Sequence, residues 1–311
     1  MNEIRSGAEE YLALRRSLGY KLKDHDAILS SFASFMEAEG ATTITEALAQ
    51  RWAVLPTGAQ VAHWVRRLSI VRGFAQFYSA CDPATEIPRP GLLRRPRARR
   101  TPYICSDAEL GSLLEAAGRI QSKWKLRART FATAIGLLAV SGMRAGELVG
   151  IDHDDVNFQD AIITIRHGKF GKSRLVPIHP STLDALLDYA GRRDAITHHP
   201  QTTRFFQDEH GNALSYWVLH NMFNRLCCQV GIRSLSDHGG PRLHDLRHRF
   251  AVNTLLAWYR AGQDVEQQLP KLSVYLGHVQ VTDTYWYLSM VPELMRSVVE
   301  RLDGGPGGRH E

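Results

Sequence analysis

No stretch of this sequence stays apolar for long enough to cross a bilayer. The longest, from Phe131 to Val140, falls well short of the roughly 20 residues a span needs. The opening MNEIRSGAEEY has no apolar centre of the kind a secretory leader carries. The expectation is a cytoplasmic protein with no membrane partner. Cysteine is scarce too. The four are Cys81, Cys105, Cys227 and Cys228; none stand in C-x-x-C spacing, and the adjacent pair suits neither a zinc site nor a mutual disulfide. Reduced, mostly buried thiols follow. There is no internal repeat at a period of about 20–50 residues, and the terminal GGPGGRHE is the one low-complexity tract.

What is present is an ordinary globular composition, with 44% hydrophobic and 23% charged residues in a chain of 311. That length is comfortable for two domains. The formal charge of +6 is modest, and its distribution says more than its sum. Arg89, Arg94, Arg95, Arg97, Arg99 and Arg100 crowd into a segment that also holds Pro88, Pro90, Pro96 and Pro102. Proline on that scale excludes a regular helix or a central strand. Two readings stay open for this extended connector: it lies along DNA phosphates, or it is a solvated basic hinge.

Before the connector the pattern is helical. Apolar residues recur at near-helical spacing in 9–19, in 27–38 and in 61–79. The last of these carries Arg66, Arg67 and Arg72 on its polar face, a face that is either merely solvated or a DNA contact. After the connector, Ser106 followed by Glu109 forms a capping-box pattern. An apolar helix over 129–140 then stops at Ser141-Gly142. Residues 161–166 and 173–178 are short β-rich runs around HGKFGK, which predicts a hairpin. From Thr182 onward the pattern is helical again. The expected fold is mainly α with a small antiparallel β-sheet. Its expected parts are a helical domain over 1–85, a basic linker over 86–103, a mixed α/β domain over 104–303 and a tail over 304–311.

Five segments carry chemistry-bearing residues: SGMRAGEL with Arg144 and Glu147, HGKFGK with Lys169 and Lys172, HDLRH with His244, Arg247 and His248, LGH with His278, and TDTYWYL with Tyr285 and Tyr287. Taken singly, each has a plain structural explanation. Arg144 at a helix boundary pairs with a carboxylate such as Glu147, Lys169 caps a solvated turn, His278 ends a helix, and the tyrosines are core aromatics. His244, Asp245 and His248 have spacing reminiscent of a zinc motif, but aspartate stands where glutamate is needed.

Taken in order, the five segments resemble the tyrosine recombinase (phage integrase) family over about Thr101 to Leu302. The resemblance implies a helical DNA-clamping domain joined to a tyrosine recombinase catalytic domain, and an enzyme that breaks and rejoins DNA at two paired sites. The catalytic set it implies is Arg144 and Arg247 as phosphate-binding arginines, Lys169 as general acid, His244 and His278 as the two histidines, and Tyr287 as nucleophile. Glu147 is the acidic residue beside the first arginine, and His248 has a supporting place. Tyr287 stands nine residues past His278, the usual family spacing, whereas Tyr285 lies two residues away and on another helical face. Lys172 is expected to meet the DNA backbone, and Arg66, Arg67, Arg94, Arg95, Arg97 and Arg99 are the candidate DNA contacts of the helical face and the connector. The partners implied are double-stranded DNA, three further copies of the chain and accessory recombinases, with no metal and no cofactor. The wording around Tyr287 resembles recombinases of bacterial mobile elements. A final apolar stripe, with Leu294, Val298 and Leu302, packs on its own domain or on a neighbouring protomer.

The chemistry is coherent. Attack on a phosphodiester builds extra negative charge at phosphorus, and arginine, always ionised and forked, suits it. At pH 7 only about 0.1% of a tyrosine with pKa about 10 is phenolate, and a histidine in reach can accept its proton or hold it in line. A covalent phosphotyrosine conserves the bond energy, so resealing requires no ATP. Two alternatives remain: a metal-dependent hydrolase built on His244, Asp245 and His248, and a DNA-binding regulator of the same fold without catalysis.

Overall fold

Four amphipathic segments ahead of residue 80 form helices in the computed structural model: α1 (Glu3–Ser17), α2 (His25–Ala38), α3 (Glu46–Val54) and α4 (Val61–Tyr78). The structure describes residues 3–22, 24–93, 101–122, 124–166, 173–198, 200–234, 240–278 and 280–288. The chain divides into two compact units, Met1–Arg100 and Thr101–Glu311.

In the first unit the helices bury Phe32, Trp52 and Phe74 in one core, with the Phe32 and Trp52 rings packed edge to face at 5.1 Å. The short α3 escapes the periodicity reading. Its apolar stripe of Ala49, Trp52 and Ala53 is too brief to register, yet Thr45 caps it by accepting from Leu48 N–H. Residues 86–93 are held by this unit. Arg72 donates to the carbonyls of Pro88 and Arg89 at 2.7 and 2.8 Å, Arg89 pairs with Glu46 at 2.7 Å, and Leu92 and Leu93 pack on the core. Arg94, Arg95, Arg97, Arg99 and Arg100 lie outside the described residues.

The second unit opens with α5 (Asp107–Gly118), whose reciprocal cap is the one the sequence predicts: Glu109 N–H donates to Ser106 Oγ and Ser106 N–H to Glu109 Oε2. The apolar α6 (Leu126–Ser141) runs through the core and is followed by the short α7 (Ala145–Leu148). Strands β1 (Val156–Asn157), β2 (Ile162–Ile165) and β3 (Arg174–Pro177) form an antiparallel sheet in sequence order, with Ile163 opposite Val156 and Val176. The hairpin tip with Lys169 and Lys172 lies outside the described residues. Helices α8 (Pro180–Ile196), α9 (Tyr216–Gln229), α10 (Leu243–Arg260), α11 (Val265–Leu276) and α12 (Thr282–Tyr285) complete the unit. Residues 289–311, with the Leu294–Val298–Leu302 stripe, are not among those described. The protein is thus mainly helical with one small antiparallel sheet. Among the described residues no helix is long and apolar enough to cross a membrane. All four cysteines are free thiols, with Cys105 and Cys227 buried.

The stop after α6 decides how the unit closes. Gly142 takes φ +59° and its N–H bonds back to Leu138 O, the left-handed helix end that glycine adopts without penalty. A Cβ here would run into the Phe250 ring and come within 3.0 Å of Leu276. Gly142→Ala should therefore lower the unfolding free energy by at least about 1–2 kcal/mol, the cost of a left-handed non-glycine residue, before any steric term. Urea unfolding of the variant measures it.

Candidate functional site

The close approach at Gly142 brings three chain segments together: the end of α6, the start of α10 and the end of α11. Arg247, on the first turns of α10, is 1% exposed. It donates to Gly142 O at 2.8 Å and to Leu276 O at 2.7 Å, so one guanidinium caps the C-terminal ends of α6 and α11. Arg144, the N-cap of α7, donates to the next carbonyl along, Gly277 O, at 3.2 Å and to Glu147 at 2.7 Å. Two arginines thus dock on successive carbonyls of the turn that leads into His278.

That turn needs its glycine. Gly277 takes φ +68°, and a Cβ on it would press against the Arg174 guanidinium. Arg174, on β3, forks onto both oxygens of Glu147 at 3.0 and 2.8 Å and donates through Nε to Tyr275 O at 2.9 Å. Burial works against the Glu147 charge, but the Arg174 fork and the Arg144 N–H and guanidinium outweigh it and hold the carboxyl down at about 2. Burial, and next the Arg144 cation, bring the Arg247 guanidinium down to about 10, so it stays charged at neutral pH. Arg144, Arg174 and Arg247 thus face a single carboxylate, Glu147, and the cluster keeps a surplus of positive charge.

The histidines and Tyr287 lie against this cluster. His244 and His248, one turn apart on α10, touch edge to face at 4.7 Å. His248 Nδ1 is 3.1 Å from the Tyr287 hydroxyl. The His278 ring lies nearly parallel to Tyr287, and its Nδ1 meets Thr284 Oγ1 at 2.8 Å. Tyr287 is 2% exposed, whereas Tyr285 is 48% exposed. Burial, and next its neighbour His244, lower His248 to about 4. Burial and then the Arg247 cation do the same to His278. His244 presents a solvent-exposed edge, and the enclosure of the rest of its ring, with Arg247 beside it, also moves it down. At neutral pH the histidines are uncharged hydrogen-bonding groups.

The structure therefore brings together Arg144, His244, Arg247, His278 and Tyr287 in the second unit, with Glu147 and His248. Arg66 and Arg67 belong to the first unit and differ from each other. Arg66 is exposed and pairs with Asp24 at 2.9 Å. Arg67 is turned inward. Its guanidinium lies 3.8 Å from the Trp52 ring centre and donates to Trp52 O, an α3 C-terminal carbonyl, and burial lowers its pKa. The reading of His244, Asp245 and His248 as a metal set is not supported. Asp245 is turned to Arg242, accepting from its N–H and pairing with its guanidinium at 2.8 Å, and among the described residues no group of three His, Cys, Asp or Glu side chains is placed to hold an ion. Arg174 is the residue sequence reasoning missed. Its signal was a cation in register with Val176, on the inward face of a strand, where a buried charge demands a partner.

The sequence profile of the phage integrase family matches residues 106–293. A Sinorhizobium fredii protein named as an integrase/recombinase is 45% identical, over 97% of this chain and 98% of its own. The tyrosine recombinase XerD of Mycobacterium tuberculosis is 33% identical, over 75% of this chain and 71% of its own. Among solved structures, the XerH site-specific recombinase bound to a palindromic difH substrate superposes with a TM-score of 0.64 at 19% identity, covering 90% of this chain and 79% of that one. The Tn1549 transposon integrase in complex with transposon right end DNA gives 0.64 at 16% identity, covering 96% and 99%. These two similarities speak to the fold.

Acid should loosen this cluster in two stages. His248 and His278 are held near 4 against an ordinary 6.5, so the unfolded chain binds protons that the fold refuses, and stability falls as pH drops from 6.5 towards 4. Glu147, held near 2 against 4.5, contributes stability that is complete above 4.5 and lost as pH falls through 2. A decline of roughly 3 kcal/mol for each of these two histidines is expected across the first window, and a shallower one in His278→Asn. Urea titrations at a series of pH values read both.

Proposed function

The chain belongs to the phage integrase family and is a tyrosine-type site-specific DNA recombinase, and from that premise we propose that it cleaves DNA through a covalent 3′-phosphotyrosine formed by Tyr287. The observation that carries this reading is the positive surplus of Arg144, Arg174 and Arg247 over Glu147, set against a buried tyrosine hydroxyl and three neutral histidines. Such a site suits an anion that gains charge as it reacts. A phosphodiester carries one negative charge and its five-coordinate transition state more. In this reading Arg144 and Arg247 bind the phosphate oxygens. Their forks are already fixed on the carbonyls of Leu276, Gly277 and Gly142, so little reorganisation accompanies the reaction.

His244 and His278 flank the phosphate as neutral hydrogen-bonding groups. Lys169 supplies the proton to the departing 5′ oxygen, a role that rests on the family resemblance. Glu147 and Arg174 position Arg144. The bond energy is kept in the phosphotyrosine, and rejoining to a different strand consumes neither ATP nor a metal. Double-stranded DNA with paired sites is the substrate, four copies of the chain act on two duplexes, accessory recombinases are compatible partners, and the cytoplasm is the site of action. Solved relatives of the same fold include a lambda integrase tetramer bound to a Holliday junction. Membership of a family of recombinases, with no expected catalytic residue type missing, favours catalysis over a purely regulatory role.

The test uses a nicked duplex carrying the repeat that the protein itself selects from a random DNA pool. Wild type should form a covalent adduct, and Tyr287→Phe should form none while binding DNA normally; loss of the adduct in Tyr285→Phe instead would displace Tyr287. Arg144→Ala and Arg247→Ala should each slow cleavage by at least about 10²-fold, and lysine replacements should recover little.

The connector is proposed to lie on the DNA backbone. Replacing Arg94, Arg95, Arg97 and Arg99 with neutral residues should flatten the log–log salt dependence of binding by about 0.9 for each phosphate no longer neutralised, with sequence preference retained. An unchanged slope would make the segment a hinge.

A further inference from the structure

His248 carries more than the sequence assigns to it. It is buried, at 9% exposure, with Nδ1 3.1 Å from the Tyr287 hydroxyl. It is confined by the edge of His244 on one side and by the rings of Trp286 and Tyr287 on the other. His278 is committed differently: its Nδ1 is engaged by Thr284 Oγ1 and its ring lies parallel to Tyr287. Asp245 and Glu147 are both engaged by arginines.

We propose that His248 accepts the hydroxyl proton of Tyr287 when the tyrosine attacks DNA, and returns it on rejoining. The inference rests on the reading of Tyr287 as nucleophile. In the cleaving step the Tyr287 O–H bond breaks, its proton passes to His248 Nδ1, and the oxygen bonds to phosphorus. The P–O5′ bond breaks and the departing oxygen takes a proton from the Lys169 ammonium. In rejoining, the 5′-hydroxyl attacks phosphorus while its proton returns to the lysine, and the tyrosine oxygen leaves with the proton held on the His248 imidazolium. No proton is gained or lost over the cycle.

The setting suits the transfer. The groups facing His248 are His244, Asp245, Arg242 and Arg247 from α10, and Trp286 and Tyr287 from the 282–288 segment. Burial and the nearby His244 leave His248 neutral at pH 7, and with its hydrogen on Nε2 the Nδ1 that faces Tyr287 is the accepting nitrogen. A buried tyrosine cannot simply shed its proton to bulk water, so a neighbouring base is needed.

Single-turnover adduct formation on the nicked duplex tests the proposal. His248→Asn, which keeps a short polar side chain but is no base, should bind DNA as wild type does and cleave at least about 10²-fold more slowly. His248→Ala should be equally slow, and added imidazole should accelerate it in proportion to its unprotonated form. In wild type the cleavage rate should hold from pH 8 to about 5 and fall below that as His248, held near 4, takes up a proton, and this acid limb should weaken in His248→Asn. A His248→Asn protein cleaving at close to the wild-type rate with an unchanged pH profile would overturn the assignment. So would a wild-type profile that stays flat as the pH is taken below 5 through 4, which requires no variant to fold. If wild type forms no adduct, or Tyr287→Phe still forms one, the reading of Tyr287 itself fails. An active wild type beside an unaffected His248→Asn removes His248 alone.

Discussion

One buried guanidinium organises the second unit. Arg247 lies where the ends of α6 and α11 converge and donates to a terminal carbonyl of each. Helix C-termini leave carbonyls without partners and carry partial negative charge, so a cation between two such ends satisfies both at once. Burying that cation is costly unless its donors are matched, and here the backbone supplies the match. Gly142, where the first carbonyl is offered, must be glycine for α6 to turn and for Phe250 and Leu276 to approach. Removal of the arginine would leave two helix ends facing one another with nothing between them.

The rest of the site is built outward from that contact. Arg144 docks on the carbonyl next to one that Arg247 holds, and Glu147 ties Arg144 to Arg174, which in turn reaches the chain at Tyr275. The same turn that receives the arginines delivers His278. Charge and geometry therefore come from one set of bonds: the forks that fix the cations are fixed before any anion arrives, and one carboxylate leaves them in surplus. The histidines remain neutral because burial and these same cations oppose their protonation. A tyrosine hydroxyl beside a neutral imidazole and within the field of Arg247 suits the proton loss and attack on an anion proposed for this protein.

The first unit uses its cations in two ways. The Arg66–Asp24 and Arg89–Glu46 pairs involve exposed arginine side chains, and exposed pairs are typically worth no more than about 1 kcal/mol. A phosphate can take the place of such a carboxylate at little cost. Arg67 is different, since its planar group covers Trp52 and caps the end of α3. Withdrawing it would uncover an aromatic at the centre of the unit.

Much of this was legible in the residues alone. Helical spacing and the Ser106–Glu109 pattern marked the long helices and the start of α5, β-rich runs around a Gly-containing turn marked the two strands of the hairpin, and an ordered set of motifs marked Arg144, His244, Arg247, His278 and Tyr287, because these signals are local and each is complete within a few residues. Helix α3 was too short for its period to register. Arg174, the inward turn of Arg67 and the contact between His248 and Tyr287 were decided only by the tertiary structure. Arg174 meets Glu147 across 27 residues, and His248 meets Tyr287 across 39. A sequence names the charges and the rings, but which cation finds which carbonyl, and which imidazole finds the phenol, depends on how helix ends pack, and that is settled by burial and shape across the whole unit.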